Sequence, residues 1–171
     1  MKRANRATRQ QGFTLIELVV VISILAILAA FALPRFAELS DEAHSASIQG
    51  SSGAYSAAVA LVRAQWVARG ARGAEENLPG FGGEDVDVST DGWPVGVGGN
   101  TDPSTIDATE CAALWRSLMQ SNAPTVGAND TTSDYNATLN SGNCRYTYNI
   151  DSNSSYIEYN PTTGEVVTVI N

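Results

Sequence analysis

The longest pattern in the chain is an apolar run from Phe13 to Leu33, broken only by Thr14, Glu17 and Ser23. As a helix these residues rise about 32 Å, close to the roughly 30 Å hydrocarbon core of a bilayer. Beyond Pro34 the run gives way to a helical rhythm. Phe36, Leu39, Ala43 and Ala46 recur at spacings of three and four, then Tyr55, Val59, Val62 and Trp66 do the same. The pattern predicts one helix from Phe13 to about Ala68, on the order of 80 Å long. Pro34 removes one of its hydrogen bonds, and Gly50 and Gly53 weaken its middle. The stripe from Tyr55 to Trp66 is expected to pack against a sheet. No head of this size needs such a rod, so its first half is expected to serve a membrane or an assembly.

The stretch from Gly70 to Thr101 is rich in glycine and reads as loop. Asp102-Pro103 is expected to open a second helix, with Asp as cap and Pro at the first helical position. Cys111, Leu114, Trp115, Leu118 and Met119 follow at helical spacing, and Pro124 closes the segment. Three strands are expected after it. Cys144, Tyr146, Tyr148 and Ile150 share a face of the first, Ile157 and Tyr159 belong to the second, and Val166 to Ile170 form the third. Pro161-Thr162-Thr163-Gly164 reads as the turn before the third strand. The fold class is therefore α+β: a long N-terminal helix, kinked near Pro34, on a small antiparallel sheet with a second short helix.

Charge sharpens this picture. Lys2, Arg3, Arg6 and Arg9 precede the apolar run, and no acid occurs before Glu17. Basic residues ahead of an apolar helix hold the N-terminus in the cytoplasm. Setting those four aside leaves six basic against eighteen acidic residues, a formal charge of −12 for residues 13–171. A surface so acidic repels phosphate backbones, so no nucleic acid partner is expected. Asp87-x-Ser89-x-Asp91-Gly92 imitates the opening of a calcium loop, but the twelfth position is Gly98 rather than Glu. It is read as an acidic solvated loop. Arg63, Arg69 and Arg72 are the basic cluster of this part. They either meet an acidic surface on another copy or form a solvated helix end near Glu75 and Glu76.

No residue cluster supports catalysis: the single histidine, His44, lies on the long helix, and no serine, cysteine or carboxylate motif has a recognisable partner. No metal or other cofactor is expected. Cys111 and Cys144 are the two cysteines, and in an exported chain they are expected to pair. Their bridge would tie the second helix to the first strand and close a loop of about 34 residues, worth about 3–4 kcal/mol in the chain-entropy picture.

The segment Gln11-Gly12-Phe13-Thr14-Leu15-Ile16-Glu17-Leu18 resembles the processing site of type IV prepilins and the related pseudopilins. The resemblance implies cleavage between Gly12 and Phe13 by a prepilin peptidase and N-methylation of the new Phe13 amine. Glu17 would then be the acid at the fifth mature position, and Pro34 the helix-kinking proline. Cleavage removes the four leader charges and leaves one ammonium at Phe13. In an apolar filament core a lone carboxylate is costly, whereas one paired with the ammonium of an adjacent subunit is not. Glu17 would thus set subunit register. The division expected is a leader at 1–12, a membrane or filament-core segment at 13–33, an amphipathic helix at 34–68 and a head at 69–171.

Shorter stretches resemble the mannose-sensitive haemagglutinin (MSHA) group of these pilins: Pro34-Arg35-Phe36, Ile48-Gln49-Gly50, Asp91-Gly92-Trp93-Pro94, Cys111-x-x-Leu114-Trp115, Tyr146-x-Tyr148 and Thr163-Gly164-Glu165-Val166. In pilins a C-terminal disulfide commonly bounds an exposed variable region, which makes Thr125–Gly142 the expected interaction surface. The resemblance implies a homopolymer, built by a pilus assembly machinery from a single-pass inner-membrane precursor, displayed outside the cell and used for attachment to a surface or glycan. The same leader also fits a minor pilin or a pseudopilin of a type II secretion system. A conventional secreted domain is the remaining alternative, because Ala30-Phe31-Ala32 is an A-x-A-like cleavage sequence that would leave Leu33 first.

Overall fold

The computed structural model describes residues 12–70 and 72–171. The expected basic leader, with Lys2, Arg3, Arg6 and Arg9, falls on residues outside those described. The chain divides into two compact units, one ending at Glu42 and the other spanning Ala43–Asn171.

Helix α1 (Leu15–Ala68) contributes to both units and continues through Pro34 without ending. Loss of one backbone N–H interrupts one rung of an otherwise intact ladder. In the N-terminal unit its apolar side chains point outward all round, from Ile16 at 70% exposed to Leu33 at 69%. It is the one helix among the described residues that is long and apolar enough to cross a membrane.

In the second unit the same helix is half-covered. Ile48, Tyr55, Val59, Val62 and Trp66 are buried at spacings of three, four and seven, as the stripe predicts. They lie against a five-stranded sheet formed by β3 (Val126–Ala128), β4 (Tyr135–Asn140), β5 (Asn143–Tyr148), β6 (Tyr156–Tyr159) and β7 (Val166–Val169), in that spatial order. All neighbours are antiparallel except β3 and β4, which are parallel. A separate antiparallel pair joins β1 (Val86–Val88) to β2 (Pro94–Val97). Period-two alternation decides the faces. Tyr135, Ala137, Cys144, Tyr146, Tyr148, Ile157 and Tyr159 turn inward, while Arg145 and Glu158 lie on the outer face and pair at 2.7 Å.

Several expectations need correction. The sheet has five strands rather than three, because Thr125–Gly142 forms β3 and β4 instead of an exposed loop. Tyr135 and Ala137 of that segment are fully buried. Ile150 lies outside β5 and is 56% exposed. The strand ends before it, where the Asn149 amide turns to donate to Asp130 O and Ser133 O.

The second helix, α2 (Ala108–Leu118), starts five residues later than expected, with its cap at Asp107 instead of Asp102. Asp102 instead holds a turn, accepting from the Ser104 N–H and hydroxyl. Asp107 is the true cap. Its carboxylate accepts from the N–H groups of Thr109 and Glu110, and Glu110 in turn accepts from the Asp107 N–H, a complete capping box. Replacing Asp107 by Ala is expected to cost about 1 kcal/mol, measured as a lower urea midpoint; Asp102→Ala should leave that midpoint nearly unchanged.

The glycine-rich stretch is more ordered than its composition implies. Asp87 is fully buried, and its carboxylate accepts backbone N–H groups from Asn77, Gly99 and Asn100 at 2.6–3.0 Å. It is a strut joining three loop strands, not a solvated acid. Gly92 and Gly164 both adopt φ of +76°, and a Cβ would be driven into the ring of Trp66 at the first and of Trp93 at the second. Two glycine turns thus seat two tryptophans.

Candidate functional site

Helix α1 begins at Leu15, leaving Gly12, Phe13 and Thr14 in non-helical backbone. Thr14 is the residue ahead of the helix, and its carbonyl accepts the first helical hydrogen bond, from Leu18. Glu17 turns back onto it. The Glu17 Oε2 accepts from the Thr14 N–H at 2.8 Å and from its hydroxyl at 2.7 Å, while the Glu17 N–H donates to the Thr14 hydroxyl at 3.3 Å. Thr14-x-x-Glu17 is therefore a second capping box. The helix expected from Phe13 thus starts two residues later, and Phe13 and Glu17 do not share a helical face. Phe13 precedes the helix, so the i, i+4 relation does not hold.

Two chemical consequences follow. The Gly12–Phe13 peptide lies in non-helical chain with Phe13 91% exposed, so that bond is accessible without unwinding a helix. An added Cβ at Gly12 meets nothing within 4 Å, so a requirement for glycine there comes from outside the chain's own fold. At Glu17, one carboxylate oxygen carries the capping bonds. Among the described residues Oε1 has no partner, which leaves it open to a cation.

Glu17 is an expected site residue, whereas Thr14 is not. The signal was present as Thr-x-x-Glu ahead of an apolar run, the same spacing that caps α2 at Asp107-x-x-Glu110.

The second group of predicted residues lies in the head. Cys111 of α2 and Cys144 of β5 form a disulfide, with Cα atoms 5.5 Å apart. Both are fully buried beside an aromatic cluster. Trp115 is its centre, with ring centroids 4.8 Å from Tyr146, 5.0 Å from Tyr135 and 5.3 Å from Tyr55. The Tyr146 hydroxyl donates to Cys111 O at 2.9 Å, so Tyr55, 3.0 Å away, donates to Tyr146. Tyr159 donates to Pro94 O and the Trp115 indole to Pro124 O. Buried hydroxyls thus bind helix, sheet and loop.

Burial pushes the hydroxyls of Tyr55, Tyr146 and Tyr159 well above their ordinary value of 10, with Tyr146 adding to the rise at Tyr55 and Tyr159. Burial raises Tyr135 to about 12. These groups are ionised more readily in the unfolded chain. Their stabilising effect is present in full below pH 10 and is lost progressively as the pH rises beyond it. An absorbance titration is expected to show these buried tyrosines ionising only above pH 10, in a cooperative step that coincides with loss of near-UV dichroism.

The remaining candidates are structural. Arg63 lies over the Trp93 ring at 4.3 Å and donates to Asp91 O, and Arg69 pairs with Glu75 at 3.1 Å. The basic cluster is thereby largely engaged within its own head. Among the described residues no group of three or more His, Cys, Asp or Glu side chains is placed to hold a metal ion.

Residues 7–33 match the family described as the prokaryotic N-terminal methylation motif. The chain is also similar to the type IV narrow pilus major component PilA5 of Thermus thermophilus, at 46% identity over 57 residues. That stretch is 33% of this chain and 49% of the relative, so the match spans about half of that protein's length. No solved structure matches the chain.

Proposed function

We propose that this chain is a structural subunit of a type IV pilus. It enters the inner membrane as a prepilin with its N-terminus in the cytoplasm. A prepilin peptidase cuts between Gly12 and Phe13, the new amine of Phe13 is methylated, and the subunits polymerise through their apolar helices into a filament outside the cell. The observation that carries this reading is the match of residues 7–33 to an N-terminal methylation motif, on a segment whose apolar side chains have no cover of their own. Similarity to a pilus major component over a third of the chain supports it.

Within this reading 1–12 is the leader, 13–33 the membrane and core segment, 34–68 the helix that carries the head, and 69–171 the rest of that head. Glu17 sets register by offering Oε1 to the ammonium of a neighbouring Phe13. A mannose-sensitive haemagglutinin-like subgroup is supported by Asp91-Gly92-Trp93-Pro94 and Thr163-Gly164, whose Trp93 and Gly164 meet in the head. Attachment to an external surface or glycan is the role this subgroup implies. The disulfide and the enclosed carboxylate of Asp87 favour a pilin over a pseudopilin, whose head would be expected to use its acids on calcium.

N-terminal sequencing of the mature chain tests the reading at its base. Phe13, N-methylated, is the expected first residue; Leu33 would mean a conventional secreted domain. Electron microscopy of cells with and without the chain then reads its rank. Loss of all filaments is expected of the major subunit, and persistence would assign it a minor role.

A further inference from the structure

In the Ala43–Asn171 unit the outward side of α1 differs from an ordinary surface helix. Between Glu42 and Arg63 it carries no Asp, Glu, Lys or Arg, whereas a solvent-facing side is normally charged. Beside it opens a groove of about 550 Å³. Gly50, Ala54, Ala57 and Leu61 of α1 line it together with Phe81 and Met119. Leu61 is 61% exposed at the rim. A Cβ added at Gly50 meets nothing within 4 Å, so the chain's own packing gives no reason for a helix-weakening glycine there. Small residues on a helix let another backbone approach closely.

The same chain carries an apolar ridge without cover. Phe36 and Leu39 stand about one turn apart and are 68% and 60% exposed. They lie beyond Leu33, where the run that matches a bilayer's thickness ends, so lipid does not account for them. We infer that the groove receives the Phe36–Leu39 turn of α1 from a second copy of this chain. Arg35 and Glu38 would flank the inserted ridge, and the groove offers them the neutral amides of Gln120 and Asn122, which bond either sign. Ridge and groove are different surfaces of one molecule. Their contact is heterologous, so it repeats from copy to copy without closing and builds a fibre rather than a dimer. The inference rests on the pilus-subunit reading and adds which two surfaces meet.

Paired cysteines test it in cells that assemble the filament. The two native cysteines are disulfide-bonded and buried, and among the described residues no free cysteine competes. Filaments carrying Leu39→Cys together with Ala57→Cys, oxidised and run without reductant, should give a ladder of dimers, trimers and larger species that neither single variant gives. Filaments of the double variant without a ladder overturn the pairing. As a second measurement, Ala57→Trp fills the groove and is expected to lower filament yield about tenfold at an unchanged level of membrane-inserted chain. Full yield from Ala57→Trp overturns the inference as well. Absence of any filament from the unaltered chain would remove the pilus reading itself, and microscopy distinguishes that failure from a missing ladder.

Discussion

Glu17→Ala is expected to insert and be cleaved at the normal rate, yet to lower filament yield at least about tenfold, because in the proposed filament it would leave the Phe13 ammonium of a neighbour unpaired in an apolar core. The substitution also removes a helix cap, since Glu17 closes the box with Thr14. The two losses can be separated. Thr14→Ala weakens the cap and keeps the carboxylate, so its filament yield should stay within about twofold of normal. Glu17→Gln keeps an oxygen able to accept from Thr14 but has no charge, and is expected to fail nearly as badly as Glu17→Ala. Immunoblots of membrane-bound mature chain beside sheared filaments read both quantities. Normal assembly by Glu17→Gln would falsify the register role and leave Glu17 as a cap alone.

In the head the largest loss is expected from Trp115→Ala, about 3–5 kcal/mol. The indole touches Tyr55, Tyr135 and Tyr146 and donates to Pro124 O, so truncation opens a cavity at the meeting point of α1, α2 and the sheet. Against a typical stability of roughly 5–15 kcal/mol, that is a large share of the whole. Urea unfolding of the full chain in detergent, followed by near-UV dichroism, should show an earlier midpoint. Trp115→Phe keeps much of the contact and should lose less. An unchanged midpoint for Trp115→Ala would mean that the aromatic cluster is not the centre of head stability.

Much of this architecture was legible before any coordinates. The apolar run and the stripe from Tyr55 to Trp66 gave the long helix, because periodicity over many turns leaves few alternatives. Cys111, Leu114, Trp115 and Leu118 marked α2, though Asp102-Pro103 misplaced its start. That dipeptide suits a turn as well as a helix, and the choice fell to Asp107, whose side chain meets Glu110. Strands β3 and β4 escaped notice for a different reason. Val126-Gly127-Ala128 is too short to show alternation, and the inward positions of β4 include Ala137, which carries little apolar signal. Their place depends on Trp115, Tyr148 and the neighbouring strand. Asp87 was misread because an acid among glycines looks solvated until the loops that enclose it are brought together.

The sequence by itself determined the N-terminal character of this protein. A continuous apolar run, the basic residues ahead of it and the methylation motif that residues 7–33 match are written in composition and local order, which need no distant partner. Tertiary structure alone decided the head: which strands pair, that Cys111 and Cys144 sit beneath one aromatic cluster, that Gly164 seats Trp93, and that a groove opens beside α1. Those features depend on residues far apart in the chain being driven together by burial, and no local pattern records where such residues meet.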